Sequence, residues 1–214
     1  MASVLWLDFD TAALARSLTS QFLASFSEAA NVDRPPDEEA VIAAADGCGL
    51  TDAQIADFAT QHAVPAEGLL ELWHWAHWNR WHMAVGGVTF DLLMNPVLDA
   101  VGIDRAARHA GRTDTHYRRR VRFLSPRGVE IRSSFVAAYL GAHARAGDLV
   151  VYVGGNASDA ALCHAAFIGD TAGSVPTKPL NVRTRNSLPD VTRQLEAESP
   201  KWQESFSSTT TAEG

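Results

Sequence analysis

"SVLWLDFD" occupies residues 3–10, and the way it reads decides the fold. Val4, Leu5, Trp6 and Leu7 form an unbroken apolar run that stops at two carboxylates, Asp8 and Asp10. A half-exposed strand alternates apolar and polar residues, whereas a strand covered on both faces reads as a continuous run. A second such run, "DLVVYVGGNASDAA" (148–161), passes into two glycines and then Asn156, Ser158 and Asp159. "WHMAV" (81–85) is a third, ending at Gly86-Gly87. Strands of this kind separated by helical segments imply an α/β fold, Rossmann-like, with a parallel sheet covered on both sides.

The helical segments follow from apolar spacing and punctuation. "TAALARSLTSQFLASFSEAA" (11–30) has helical periodicity, and "NVDRPPDE" (31–38) is a turn that closes it. Helices are expected over 37–49, over 51–63 behind the N-cap Thr51, and over 65–80. Further helices are expected over 89–103, 131–147 and 158–167, with mixed strand and basic-turn character over 116–129. From Ser199 to residue 214 the chain is polar and reads as a flexible tail. In open α/β sheets functional groups collect where strands end, so Asp8/Asp10, Gly86-Gly87 and Asn156–Asp159 form one candidate site.

Composition bounds the partners. The chain has 214 residues, 46% of them hydrophobic, and a net charge of −7. That charge excludes a nucleic-acid partner held through its phosphates. No apolar run approaches the ~20 residues of a membrane span, and the N-terminus lacks the basic region of a signal peptide. Cys48 and Cys163 stand at no metal spacing, which fits free thiols in a reducing cytoplasm. Only Lys178 and Lys201 are lysines, so chemistry that needs a lysine has two candidates.

"LWLDFDTAA", "MAVGGVTFDLLMNPVLDAVGI", "VEIRSSFV" and "VVYVGGNASDAA" carry a resemblance. In this order they resemble the four motifs of the haloacid dehalogenase superfamily, in its phosphoserine-phosphatase-like and methylthiopentenyl-phosphate-phosphatase-like branch. The resemblance implies a sheet core over 1–11 and 81–198, and a small helical cap over 12–80, inserted after the first strand. It implies a small-molecule hydrolase, phosphatase-derived, with Asp8 as nucleophile and Asp10 as general acid and base. Thr11, Gly86, Gly87, Arg132 and Asn156 would bind substrate, and Asp8, Asp10 and Asp159 would face magnesium.

Several positions depart from those motifs. Val85 stands where the family has a serine, Arg132 where it has a lysine, and Gly155 where it has a metal-binding aspartate. Magnesium is usually anchored by one or two carboxylates, so the erosion touches the cofactor directly. "GNASD" is also similar to the fourth motif of metal-free haloacid dehalogenases, although their lysine and halide-binding arginine have no counterpart here. Three readings follow: a phosphatase-derived hydrolase, a repurposed metal-independent acid–base enzyme of specialised metabolism, and an inactive relative that binds a ligand or partner.

"LWHWAHWNRWHM" (72–83) holds four tryptophans and three histidines. Helical spacing places His74, His77, Trp78 and Trp81 on one face, as expected for a helix buried on most sides or sitting at a homodimer contact. Metal binding there lacks a completing carboxylate or cysteine. "HYRRRVR" (116–122) reads as a solvated basic strand or turn, with an anion anchor as the alternative.

Overall fold

The structure is a computed structural model, and it describes residues 2–26, 37–114, 120–124, 130–131, 134–143, 148–169, 181–184 and 187–210. Its strands are β1 (Ser3–Asp8), β2 (Trp81–Phe90), β3 (Arg108–Asp114), β4 (Arg120–Arg122), β5 (Leu149–Gly154), β6 (Ala165–Ile168) and β7 (Asn181–Thr184). The helices are α1 (Leu18–Phe26), α2 (Glu38–Gly47), α3 (Asp52–His62), α4 (Leu69–Trp78), α5 (Asp91–Val101), α6 (Phe135–His143), α7 (Ala157–Ala160) and α8 (Leu188–Thr210). The strands lie in the order β4-β3-β2-β1-β5-β6-β7, all parallel except β4, which runs antiparallel to β3. The α/β, Rossmann-like expectation holds.

β1 is the central strand, and its apolar run is buried as the sequence implied. Fully burying each Leu or Val side chain contributes roughly 1.5–3 kcal/mol relative to leaving it in water. Trp6 stacks on His109 with ring centroids 5.6 Å apart and meets Tyr139 of α6 at 5.3 Å. That close ring requires glycine at the neighbouring Gly86, where a Cβ would stand 2.7 Å from the indole.

α1 to α3 pack on one another and on the start of α5. Phe22 of α1 meets Phe58 of α3 and Phe90 edge-on at 5.6 and 5.4 Å, with Val41, Ile55 and Ala59 buried around them. Thr51 caps α3 as expected, and Gln54 completes a capping box by accepting the Thr51 N–H at 2.9 Å.

Several elements differ from the sequence reading. α1 begins only at Leu18, because a π-helical turn over Phe9–Ala13 and an extended stretch precede it. β2 continues through Gly86-Gly87 to Phe90, and a register shift against β3 absorbs the extra residues. The helix expected over 158–167 stops after Ala160, and "AAFI" forms β6 instead. β3, "RHAGRTD", was not anticipated, because its residues carry little apolar signal. α8 runs past Ser199 to Thr210, where a flexible tail was read, and residues 211–214 lie outside those described.

The Trp/His segment is also corrected. α4 is buried only along Leu69, Leu72 and Ala76, which pack toward β2 and α8. His74 and His77 are exposed, and Trp78 is 87% exposed. Trp81 does not share their helix, because the chain turns at Arg80 and Trp81 opens β2.

Candidate active site

β1 delivers Asp8 to the carboxyl edge of the sheet, opposite Gly86, and β5 brings Gly154 to the same edge. Asp8 Oδ1 accepts two hydrogen bonds from Thr11, one from the backbone N–H at 2.8 Å and one from the hydroxyl at 2.7 Å. The Thr11 hydroxyl oxygen in turn accepts the Gly155 N–H at 2.8 Å. One hydroxyl therefore joins the loops after β1 and β5.

Glycines set how closely backbone approaches this carboxylate. A Cβ at Gly87 would stand 3.3 Å from Asp8 Oδ2, and one at Gly154 would stand 2.7 Å from Asp8 Cβ. Burial raises the Asp8 carboxyl to about 6, the Thr11 hydrogen bonds oppose it, and the charges of Asp10 and Asp159 add to the rise.

Asp10 turns toward α1. Its Oδ1 accepts the Thr19 N–H at 2.9 Å, so it satisfies one of the free N–H groups at that helix start. Burial raises its pKa, and hydrogen bonds from Thr19, Ser17 and Leu18 oppose the rise. The capping role foreseen for such an aspartate is real, and it coexists with a position beside Asp8. Asp159 accepts a hydrogen bond from the Ser134 hydroxyl, whose oxygen also accepts the Ala137 N–H at 3.0 Å as the cap of α6. Burial raises Asp159 as well.

Asn156 caps α7 by accepting the Ser158 N–H at 2.9 Å, and its own N–H donates to the Tyr152 hydroxyl at 3.0 Å. The structure thus gathers Asp8, Asp10, Thr11, Gly87, Asn156 and Asp159 at one end of the sheet. Gly86 faces Trp6 and the His109 carbonyl rather than Asp8. Arg132 lies outside the described residues.

Two residues at this site were not singled out from sequence. Tyr152 is buried below the β5 loop, and burial together with the Asp8 charge pushes its phenol well above the usual range. A lone tyrosine in an otherwise aliphatic strand, one pleat before Gly154, is the signal that marks it. Ser134 has no comparable signal, because its role depends on where α6 starts.

No protein-family model matches this chain, and no curated protein does. Solved structures do match. A phosphoserine phosphatase in apo form superposes with a TM-score of 0.64 at 14% identity, covering 90% of this chain and 98% of its own. The chain has the haloacid dehalogenase fold. A phosphoserine phosphohydrolase-like protein from Francisella tularensis matches the same fold with a TM-score of 0.61 at 10% identity, covering 91% of this chain and 100% of its own. A phospho-aspartyl intermediate analogue of phosphoserine phosphatase matches with a TM-score of 0.62 at 12% identity, covering 90% and 98%.

The magnesium implied by a haloacid dehalogenase fold can be tested against the residues present. Among the described residues, no three histidine, cysteine or carboxylate side chains stand together as a metal site. Asp8 Oδ1 already accepts two hydrogen bonds, Asp159 accepts one from Ser134, and Gly155 supplies no carboxylate. The Thr11–Gly155 hydrogen bond already ties together the loops after β1 and β5. This donor set does not fit a conventional magnesium site.

Proposed function

We propose that the chain is a small-molecule hydrolase of phosphatase type, in which Asp8 is the nucleophile and Asp10 the proton donor and acceptor. The observation that carries this reading is the Asp8 carboxylate itself, half-buried at the end of the central strand, held at one oxygen by Thr11 and bordered by Gly87 at the other. A carboxyl near 6 is ionised at neutral pH yet desolvated, a combination suited to attack.

In the proposed reaction an Asp8 oxygen attacks the phosphorus of a phosphate monoester. The bond to the leaving oxygen breaks, and Asp10 passes that oxygen a proton. Water then attacks the aspartyl phosphate and gives its proton to Asp10, which frees inorganic phosphate and restores the Asp8 carboxylate. The raised pKa of Asp10 favours the protonated form that the first step uses.

A second reading, metal-independent acid–base chemistry on a less charged substrate, draws on a specific feature. Asp8, Asp10 and Asp159 are all raised by burial, and the charges of the latter two act on Asp8. Such a group tolerates a concentrated dianion less easily than a neutral or singly charged substrate.

Hydrolysis of para-nitrophenyl phosphate and of an uncharged ester by the two aspartate variants separates the readings. Phosphatase turnover lost by at least ~10²-fold in both Asp8→Asn and Asp10→Asn supports the first. Turnover of an uncharged ester that needs Asp10 but not Asp8 supports the second. If neither substitution alters any turnover, both readings fail.

A further inference from the structure

Beneath α6, away from the Asp8 site, two adjoining hollows of about 280 and 370 Å3 open against β3. They share Ala106, His109, Tyr139 and His143, and none of the carboxylates of the Asp8 site lines either one. The smaller is lined by Arg105, Arg108 and Arg112 and, among the described residues, by no acidic side chain, with Phe135 and Ile131 among its apolar wall. The larger continues to Trp73, His77 and Trp81, so the Trp/His-rich segment contributes one end of the same groove.

Among the described residues, positive charge lining the smaller hollow exceeds the carboxylates paired with it. Arg105 and Arg108 share a single carboxylate, Asp99, at 2.8 and 2.7 Å. Arg108 is 5% exposed at its side chain, and its buried Nε has no hydrogen-bond acceptor among the described residues. Arg112 is exposed and has no acidic partner among the described residues. His109 packs against both the Trp6 and Tyr139 rings, at 5.6 and 4.9 Å. Its imidazole is held down to about 4 by burial and by the positive charges of His143 and Arg112.

Guanidinium groups bind oxyanions bidentately, and aromatic walls take up a flat apolar body. We propose that this groove is a second binding site, separate from Asp8, for a small aromatic oxyanion (a carboxylate or phosphate monoester), whose charged end meets Arg112 and whose ring lies along Tyr139 and Phe135. Asp104, which lines the larger hollow beside Ala106, already accepts the Ala106 N–H.

The test follows the His109 and His143 ring signals by NMR in the full chain carrying Asp8→Asn, so that the probe is not consumed. Phenyl phosphate and benzoate are titrated in turn, with benzyl alcohol as the neutral comparator. Saturable shifts of the His109 and His143 signals with either anion, together with a higher His109 pKa in the saturated protein, support the site. Arg112→Gln, a change at an exposed position, is expected to weaken binding about tenfold, the loss of one charge-assisted contact. Three results overturn the proposal: no histidine shift with either anion, equal binding of benzyl alcohol, or undiminished affinity in Arg112→Gln. Because the titration uses protein without the Asp8 carboxylate, its outcome does not depend on the hydrolase reading.

Discussion

At neutral pH the Asp8 carboxyl is ionised against the burial that raises it to about 6. The folded protein therefore holds this proton more tightly than the unfolded chain between pH about 4 and 6. Stability is lost as pH rises through that window, and the penalty is complete above it. Asp8→Asn removes the charge and keeps an oxygen that accepts from Thr11. It is expected to raise stability at pH 7.5 by on the order of 2 kcal/mol, with the gain vanishing near pH 4. Urea unfolding at the two pH values reads this directly, and destabilisation at pH 7.5 contradicts it. His109 runs the other way. Held down to about 4, it is neutral in the fold, so its contribution is lost as pH falls from 6.5 toward 4. The residues of the Asp8 site were legible in the sequence largely because they end adjacent parallel strands. Tyr152 and Ser134 were not, since each acts through a neighbour that only the packed structure supplies.

α4 meets α8 through a glycine that sequence alone passes over. Gly68 precedes α4 with φ +82°, and a Cβ there would stand 2.6 Å from the Pro189 ring. Gly68→Ala therefore combines a left-handed backbone with a clash, and it is expected to cost about 1–3 kcal/mol. Gly47→Ala is the comparison, because a Cβ there meets nothing within 4 Å. Thermal unfolding checks both, and equal midpoints for the two variants refute the packing account. Among elements, β1 and β5 could be read from continuous apolar runs, and α3 from Thr51. β6 could not, because a four-residue apolar segment behind a short helix carries no period of its own. β3 could not, because four of its seven residues are charged or histidine (Arg108, His109, Arg112 and Asp114), and its strand form comes from pairing with β2 and β4. α4 misled in the opposite sense. Its aromatic residues suggested burial on most sides, whereas one stripe is enough to dock a helix against β2 and α8.

Across the whole molecule, the candidate site exists because β1 and β5 end at one level, beside Gly86-Gly87 of β2. Thr11 and Gly155 lie 144 positions apart, yet one hydrogen bond joins them beside Asp8. Thr11→Val removes the hydroxyl that serves both Asp8 and Gly155, while leaving the Thr11 N–H on Asp8. It is expected to lower turnover more than stability, which kinetics and urea unfolding of the same preparation compare. The order of the motifs gave the fold away early, and Val85 and Gly155 are the positions where the sequence departs from them. Nothing in that order specified that the Gly155 N–H would meet the Thr11 hydroxyl. The central claim is that the Asp8 carboxylate attacks substrate. Its most direct measurement is acid-quenched mass spectrometry of the chain during turnover of para-nitrophenyl phosphate. The account predicts a phosphoryl adduct on the peptide containing Asp8, absent in Asp8→Asn. Turnover of that ester with no adduct, undiminished in Asp8→Asn, would contradict it.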